Sequence, residues 1–465
     1  MELSAFPGFL FTAFDRFTVL AVFLTVFALT VDFMKRWKKC QNYPPGPWGL
    51  PFIGNMHQVD MNNPHLSFAK LQKKYGNVFG VQIGWTNTVI LNSYETVKEA
   101  LVKKSEDFAD RPDFPAYDYL MKNSGEGLPF DPNFLLSCVS SNIISSTVFG
   151  ERFEYNDKKL LALLQLIEES FLLEGTFWGQ LLNAFPFIRH FPGPQNKIFE
   201  NQKQAIDFVQ EIVTEHKKSW DPNEPRDFID AFLAEEEKMK HVPDTSFQES
   251  KMIGTILNLF AAGAETTSTT LRWALLYMML HPNLQSKVHE EIDRVIGKER
   301  KPTLEDREKI PYTNAVIHET QRFGNVAPLS LPHQTYRDTE VMGYTIPKGT
   351  TIIPNFTSIM LDENIWSTPH QFNPGHFLNS EGKFVKPEAF IPFSAGHRGC
   401  PGEQLAKAEL FLIFTSMLQR FTIQLPENEP RPSCTEGIYA TDRNPLPYRL
   451  CAKLRAVRRD IPSSI

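Results

Sequence analysis

Apolar positions recur at three- and four-residue spacing through "LLALLQLIEESFLLEG" (160–175), "QAIDFVQEIVTEHKKSW" (204–220) and "NLQSKVHEEIDRVIG" (283–297). That period predicts helices with one buried face, and each run ends in a glycine or a polar break. A longer run, "KMIGTILNLFAAGAETTSTTLRWALLYMMLHP" (251–282), predicts a long helix closed by Pro282. Alternation over "VFGVQIG" (78–84) and "TVIL" (88–91) predicts two early strands. "EVMGYTIPKGTTIIP" (340–354) predicts further short strands, with turns at Gly343 and at "PKG". The class expected is mainly α with a small β sheet (α+β).

The amino end breaks the pattern. Residues 17–31, "FTVLAVFLTVFALTV", carry no charge, and Lys35, Arg36, Lys38 and Lys39 follow them. A cleaved signal peptide places its cations before the apolar run, so this order predicts an uncleaved membrane anchor helix over 1–34, with the bulk of the chain on the cytosolic side. Residues 35–47 hold the basic cluster and a stiff linker with Pro44, Pro45 and Pro47. No repeat or low-complexity segment follows, so 48–465 reads as one large unit.

Composition narrows the function. The 38 phenylalanines are about twice ordinary usage; they fit aromatic walls around an apolar substrate, and aromatic core packing equally. A net charge of −6 leaves no basic surface for a phosphate backbone, which excludes nucleic acid as a partner. The five cysteines, at 40, 138, 400, 434 and 451, form no C-x-x-C pair. They predict neither a disulfide framework nor a zinc site, and place the folded part in a reducing compartment.

Three constellations carry candidate chemistry. Phe393, Gly396, Arg398, Cys400 and Gly402 in "IPFSAGHRGCPGE" fit F-x-x-G-x-R-x-C-x-G, a match expected by chance on the order of once in ten thousand chains. Cys400 precedes a predicted helix with Pro401 at its first position, where the helix amino terminus favours a thiolate. Glycines 396, 399 and 402 let backbone approach a flat ligand on the sulfur, and Arg398 can meet an anionic edge of it. In "AAGAETT", Gly263 inside a helix costs about 1 kcal/mol and implies a close neighbour. Glu265 and Thr266 offer an acid and a hydroxyl able to relay protons, although glycine and threonine also occur at helix crossings. In "YTNAVIHETQRF", Glu319 and Arg322 stand three residues apart on one helix face, either as a solvated pair or as a bracing one.

In this order, with "FNPGHF" before the cysteine loop, "PPGP" near the start and "PYRLCA" near the end, these motifs resemble the cytochrome P-450 family of haem-thiolate monooxygenases. The likeness is to the microsomal family-2 type, nearest its D subfamily in "TEHKKSWDPNEPRDFIDAFLAEEEKMK" and "FVKPEAFIPFSAG". The resemblance implies the P-450 fold and haem b, with Cys400 as axial ligand and Phe393 in the loop that carries it. It implies Glu265 and Thr266 as the proton-delivery pair, and Arg111, His333 and Arg398 as haem propionate partners. Glu319 and Arg322 become structural, with His376 as their third partner where many relatives have arginine. Glu174 falls where D-type members carry an acid that attracts basic amines, and Asn258 where some place a second acid. The implied setting is the endoplasmic reticulum membrane. Electrons come from NADPH through a separate NADPH-cytochrome P-450 reductase, with cytochrome b5 as a further partner, and substrates are small lipophilic molecules of xenobiotic, fatty acid or steroid type.

One departure is large. Leu128 meets Pro129 where the family has a helix with a Trp-x-x-x-Arg signature and several tens of further residues; the only tryptophans before Trp178 are Trp37, Trp48 and Trp85. The chain therefore reads as a shortened form. Two rival expectations follow: a shortened, catalytically impaired protein with weak or no haem binding, and a reductase-independent hydroperoxide isomerase or dehydratase. Retained Glu265 and Thr266 argue against the second.

Overall fold

Asp157 sets the start of the first predicted amphipathic helix: its carboxylate accepts the N–H groups of Lys159 and Leu160 at 2.8 and 2.9 Å, satisfying two orphan donors. The chain beyond it is seen in a computed structural model that describes residues 43–51, 53–60, 64–83, 86–104, 129–155, 157–222, 224–242 and 244–455. The expected anchor over 1–34 lies outside the described residues, as do Arg111 and Leu128. No described helix is long and apolar enough to cross a membrane.

The longer helices are α1 (Pro64–Tyr75), α2 (Asn133–Val148), α3 (Lys158–Gly175), α4 (Phe177–Ala184), α5 (Asn196–Lys218), α6 (Phe228–Met239), α7 (Glu249–Leu280), α8 (Pro282–Val295), α9 (Pro311–Gly324) and α10 (Glu403–Arg420). Helix α5 starts eight residues before the 204–220 pattern. Its first turns are polar, but Ile198 packs on Leu182 and the Asn201 amide donates to Glu169 and Ser170 at 3.0 and 3.2 Å, so tertiary contacts extend it.

Helix α7, about 48 Å long at 1.5 Å per residue, is the axis of the molecule. Every residue from Thr267 to Leu280 is buried, in a core shared with α8, α9 and α10. There Tyr277 lies between Trp273 and Phe372, with ring centroids 5.6 and 4.5 Å away. The amino-terminal half of α7 packs against α2, α3 and α5. A β-carbon on Gly263 would lie 2.5 Å from Ile144 Cδ1 of α2, so the close neighbour implied by that glycine is a helix.

Strands β1 (Val78–Ile83) and β2 (Thr86–Leu91) pair antiparallel, with Val78 opposite Leu91. β3 (His333–Gln334) lies at the other edge of this sheet, separated from β2 by the strand Thr351–Pro354. β4 (Thr339–Val341) and β5 (Tyr344–Ile346) form a hairpin through Met342 and Gly343, both with positive φ (51° and 82°), the two-residue turn that matches strand twist. β6 (Thr351–Pro354) runs parallel to β2. Separate antiparallel pairs join β7 (Phe421–Gln424) with β10 (Cys451–Leu454), and β8 (Gly437–Tyr439) with β9 (Arg443–Pro445). Just past the shortened point, Phe130 exchanges backbone hydrogen bonds with Leu450 at 3.0 and 2.9 Å, tying the start of α2 to the carboxy-terminal strands.

Candidate active site

The cysteine loop is held by its own backbone. The Cys400 N–H donates to the Phe393 carbonyl at 2.9 Å, and the Gly399 N–H to Gly396 at 3.0 Å. Gly396 has φ 75°, the one glycine of the three that needs left-handed backbone. Pro401 does not open the helix. Cys400 to Glu403 form a turn, closed by Glu403 N–H to Cys400 O at 3.4 Å, with Gly402 at φ −85°, ψ 4°; proline and glycine favour this turn, and α10 begins at Glu403. Cys400 is exposed as a residue while its surroundings desolvate the sulfur. Burial, with a contribution from the Glu403 carboxylate, holds the thiol above its ordinary pKa, and the Gly402 N–H only partly offsets them. Arg398 is exposed beside it, and Lys407 bonds Glu403 at 2.6 Å with its ammonium 5.8 Å from the Phe393 ring centre.

Behind the loop, Glu319 and Arg322 form a fully buried pair. Arg322 Nε and Nη2 each donate to Glu319 at 2.7 Å. Nη1 donates to the carbonyls of Met360 and Pro369 (2.7 and 3.0 Å), and Nη2 to that of Gln371 (3.1 Å). Glu319 also accepts the Asn373 N–H at 2.8 Å and meets His376 Nδ1 at 3.2 Å. The Thr368 N–H donates to His376 Nε2 at 3.2 Å, which leaves Nδ1 to carry the proton toward Glu319. A helix is thus bonded to the 360–376 segment that leads into the cysteine loop.

On α7, Asn258, Ala262 and Thr266 are exposed at four-residue spacing, an open stripe that stops where the helix becomes wholly buried. Thr266 Oγ1 donates to the Ala262 carbonyl at 2.8 Å. Glu265 is buried and accepts from Thr269 at 3.2 Å, so the two residues share no hydrogen bond with each other. Glu174 is buried on α3 and accepts from Thr441 at 2.9 Å. His333 is buried in β3. Sequence reading missed Arg272, Asp442 and Asn444, which surround Glu265. The signal was Arg272 itself, a lone cation inside "TTLRWALLY" that burial obliges to find a partner.

A family model described as cytochrome P450 matches residues 44–128 and 116–452. The chain belongs to the cytochrome P450 family. It is 43% identical over 495 residues to cytochrome P450 2D15 of Canis lupus familiaris (95% of this chain, 99% of the relative). It is also 43% identical over 487 residues to cytochrome P450 2D6 of Homo sapiens (93% and 98%). It is thus a P450 monooxygenase of the microsomal family-2, D-subfamily type. The alignment to the dog protein uses 95% of a 465-residue chain, so about fifty of its 495 positions have no counterpart here. The two matched blocks of the family model meet over 116–128, beside the Leu128–Pro129 junction.

The family implies haem, and the donor set fits it. Among the described residues, the one cluster of three or more ligating side chains is His216, Asp227 and Asp230, without Cys400. A lone thiol suits a metal whose other positions are filled by a macrocycle, and not zinc, which takes three or four protein ligands. Two clefts of about 490 and 500 Å³ lie elsewhere, around Leu280 and Pro282, and include neither Cys400 nor Thr266.

Proposed function

We propose that this P450 is anchored in the endoplasmic reticulum membrane and inserts one oxygen atom from O2 into small lipophilic substrates, using electrons passed from NADPH by a separate reductase. The observation that supports this reading is Cys400, the one exposed cysteine among the described residues, on a backbone-locked loop that follows a segment held by the buried Glu319–Arg322 pair. Haem, when bound, supplies oxygen binding and electron uptake, with the Cys400 thiolate donating electron density to favour O–O cleavage, as in haem-thiolate proteins generally. Cys400 gives up its proton on ligating, because a coordinated thiol is deprotonated outright whatever its free pKa. Arg111, His333 and Arg398 hold the propionates, and Phe393 flanks the ligand. Thr266 presents its hydroxyl on the open stripe, and Glu265 stores a proton at its carboxyl one residue away. Glu174 draws basic amines, with Asn258 adding a polar but uncharged contact. The exposed cations Arg398 and Arg420 mark the cysteine side as the face toward the reductase, with cytochrome b5 as a second donor.

A second reading, weak haem retention, is favoured by the roughly fifty aligned positions of the dog relative that have no counterpart in this chain. The reduced carbonyl spectrum decides. A thiolate-type Soret band that disappears in Cys400→Ser, with helical circular dichroism unchanged, supports the enzyme. Protein expressed with haem supplied that gives no such band refutes it for this chain.

A further inference from the structure

Glu265 points away from the open stripe toward the hairpin β8–β9, into a polar cluster sealed from solvent. The Thr269 hydroxyl lies 3.2 Å from Glu265 Oε1 and 2.8 Å from Asn444 Oδ1. Asn444 donates its amide to Asp442 Oδ1 at 3.0 Å and accepts Arg272 Nη1 at 2.6 Å. Glu265 and Asp442 are 4% and 5% exposed.

The donors do not suffice for two carboxylates. Thr269 has one proton, and Glu265 and Asn444 compete for it. Asp442 Oδ2 has no hydrogen-bond partner among the described residues. Arg272 is the one cation acting on the two acids, and its nearest bond goes to Asn444. Glu168 on α3 adds further negative charge, and Tyr439 on β8 faces Asp442 as a neutral phenol at ordinary pH, its pKa raised by burial. Two like charges buried together cannot both ionise cheaply.

We propose that Asp442 is a positioning residue that shares a single proton with Glu265, so that Glu265 is held as a carboxylic acid in the sealed cluster one residue from Thr266. The proposal rests on the proton-delivery role given to Glu265 above. Both carboxyls sit above their ordinary range. For Glu265 the cause is burial first and the Asp442 charge second; for Asp442 it is burial, opposed by Thr269 and Arg272.

The test is infrared titration of the protonated-carboxyl stretch in the full chain, with Glu265→Gln assigning the band. In the native protein the band persists at pH 7. Asp442→Asn keeps the shape and removes the charge, and should lower the Glu265 midpoint by about one pH unit or more. Asp442→Ser, read the same way, serves if the asparagine variant folds poorly. A midpoint that stays within a few tenths of a unit in both variants, or a native-minus-Glu265→Gln difference spectrum with no protonated-carboxyl band at pH 7, overturns the pairing. The pH profile of turnover is read separately: if the carboxyl midpoint moves and the profile does not, the shared proton stands and the proton-delivery role of Glu265 falls.

Discussion

Replacing Arg322 with leucine tests whether the cysteine loop is braced from behind. The guanidinium makes five hydrogen bonds, two to Glu319 and three to the carbonyls of Met360, Pro369 and Gln371. Leucine leaves a carboxylate at 0% side-chain exposure with only the Asn373 N–H and the His376 ring to hold it. Breaking one side of a buried pair costs about 3–5 kcal/mol. The three carbonyls add to this, though sub-additively, because segment 360–371 can shift to find other donors. At roughly 2 °C per kcal/mol for a chain of this size, the melting temperature should fall by about 6–10 °C, compared at one scan rate. Glu319→Leu should cost a similar amount, and the double variant much less than the sum, since it removes both charges together. A loss under about 1 kcal/mol, or strict additivity in the cycle, would refute the brace.

Two further outcomes follow from packing and burial. Gly263→Ala gains about 1 kcal/mol of helix propensity but pushes a β-carbon into Ile144. It should destabilise by about 1–3 kcal/mol in the native background and be neutral or stabilising beside Ile144→Ala, as measured by urea midpoints. Glu409 is buried on α10 with Oε2 unpartnered among the described residues, and burial raises its pKa to about 7. A folded pKa above the unfolded value near 4.5 gives stability that is present below pH 4.5 and lost as pH rises through 7. Glu409→Gln should therefore recover up to about 3 kcal/mol at pH 8 and nothing at pH 4; an equal effect at both pH values contradicts the burial argument.

Much of this architecture was legible because its signals are local. The period of α3 and α8, the Met342–Gly343 turn and the cysteine pattern depend on residues near one another in sequence. The 310–403 region also carries both members of the brace, and Glu319 and Arg322 meet because helix geometry puts i and i+3 on one face. What sequence reading lost was set by distance along the chain. The early start of α5 depends on Ser170 and Glu169, and the surroundings of Glu265 on a hairpin some 175 residues later.

The cysteine loop, the Glu319–Arg322 pair and α10 all lie within residues 311–420, downstream of the Leu128–Pro129 junction. About fifty of the dog relative's aligned positions have no counterpart here, and the two matched blocks of the family model meet beside that junction. The scaffold next to it is well tied, since Phe130 is paired with Leu450 and α2 seats Ile144 against Gly263.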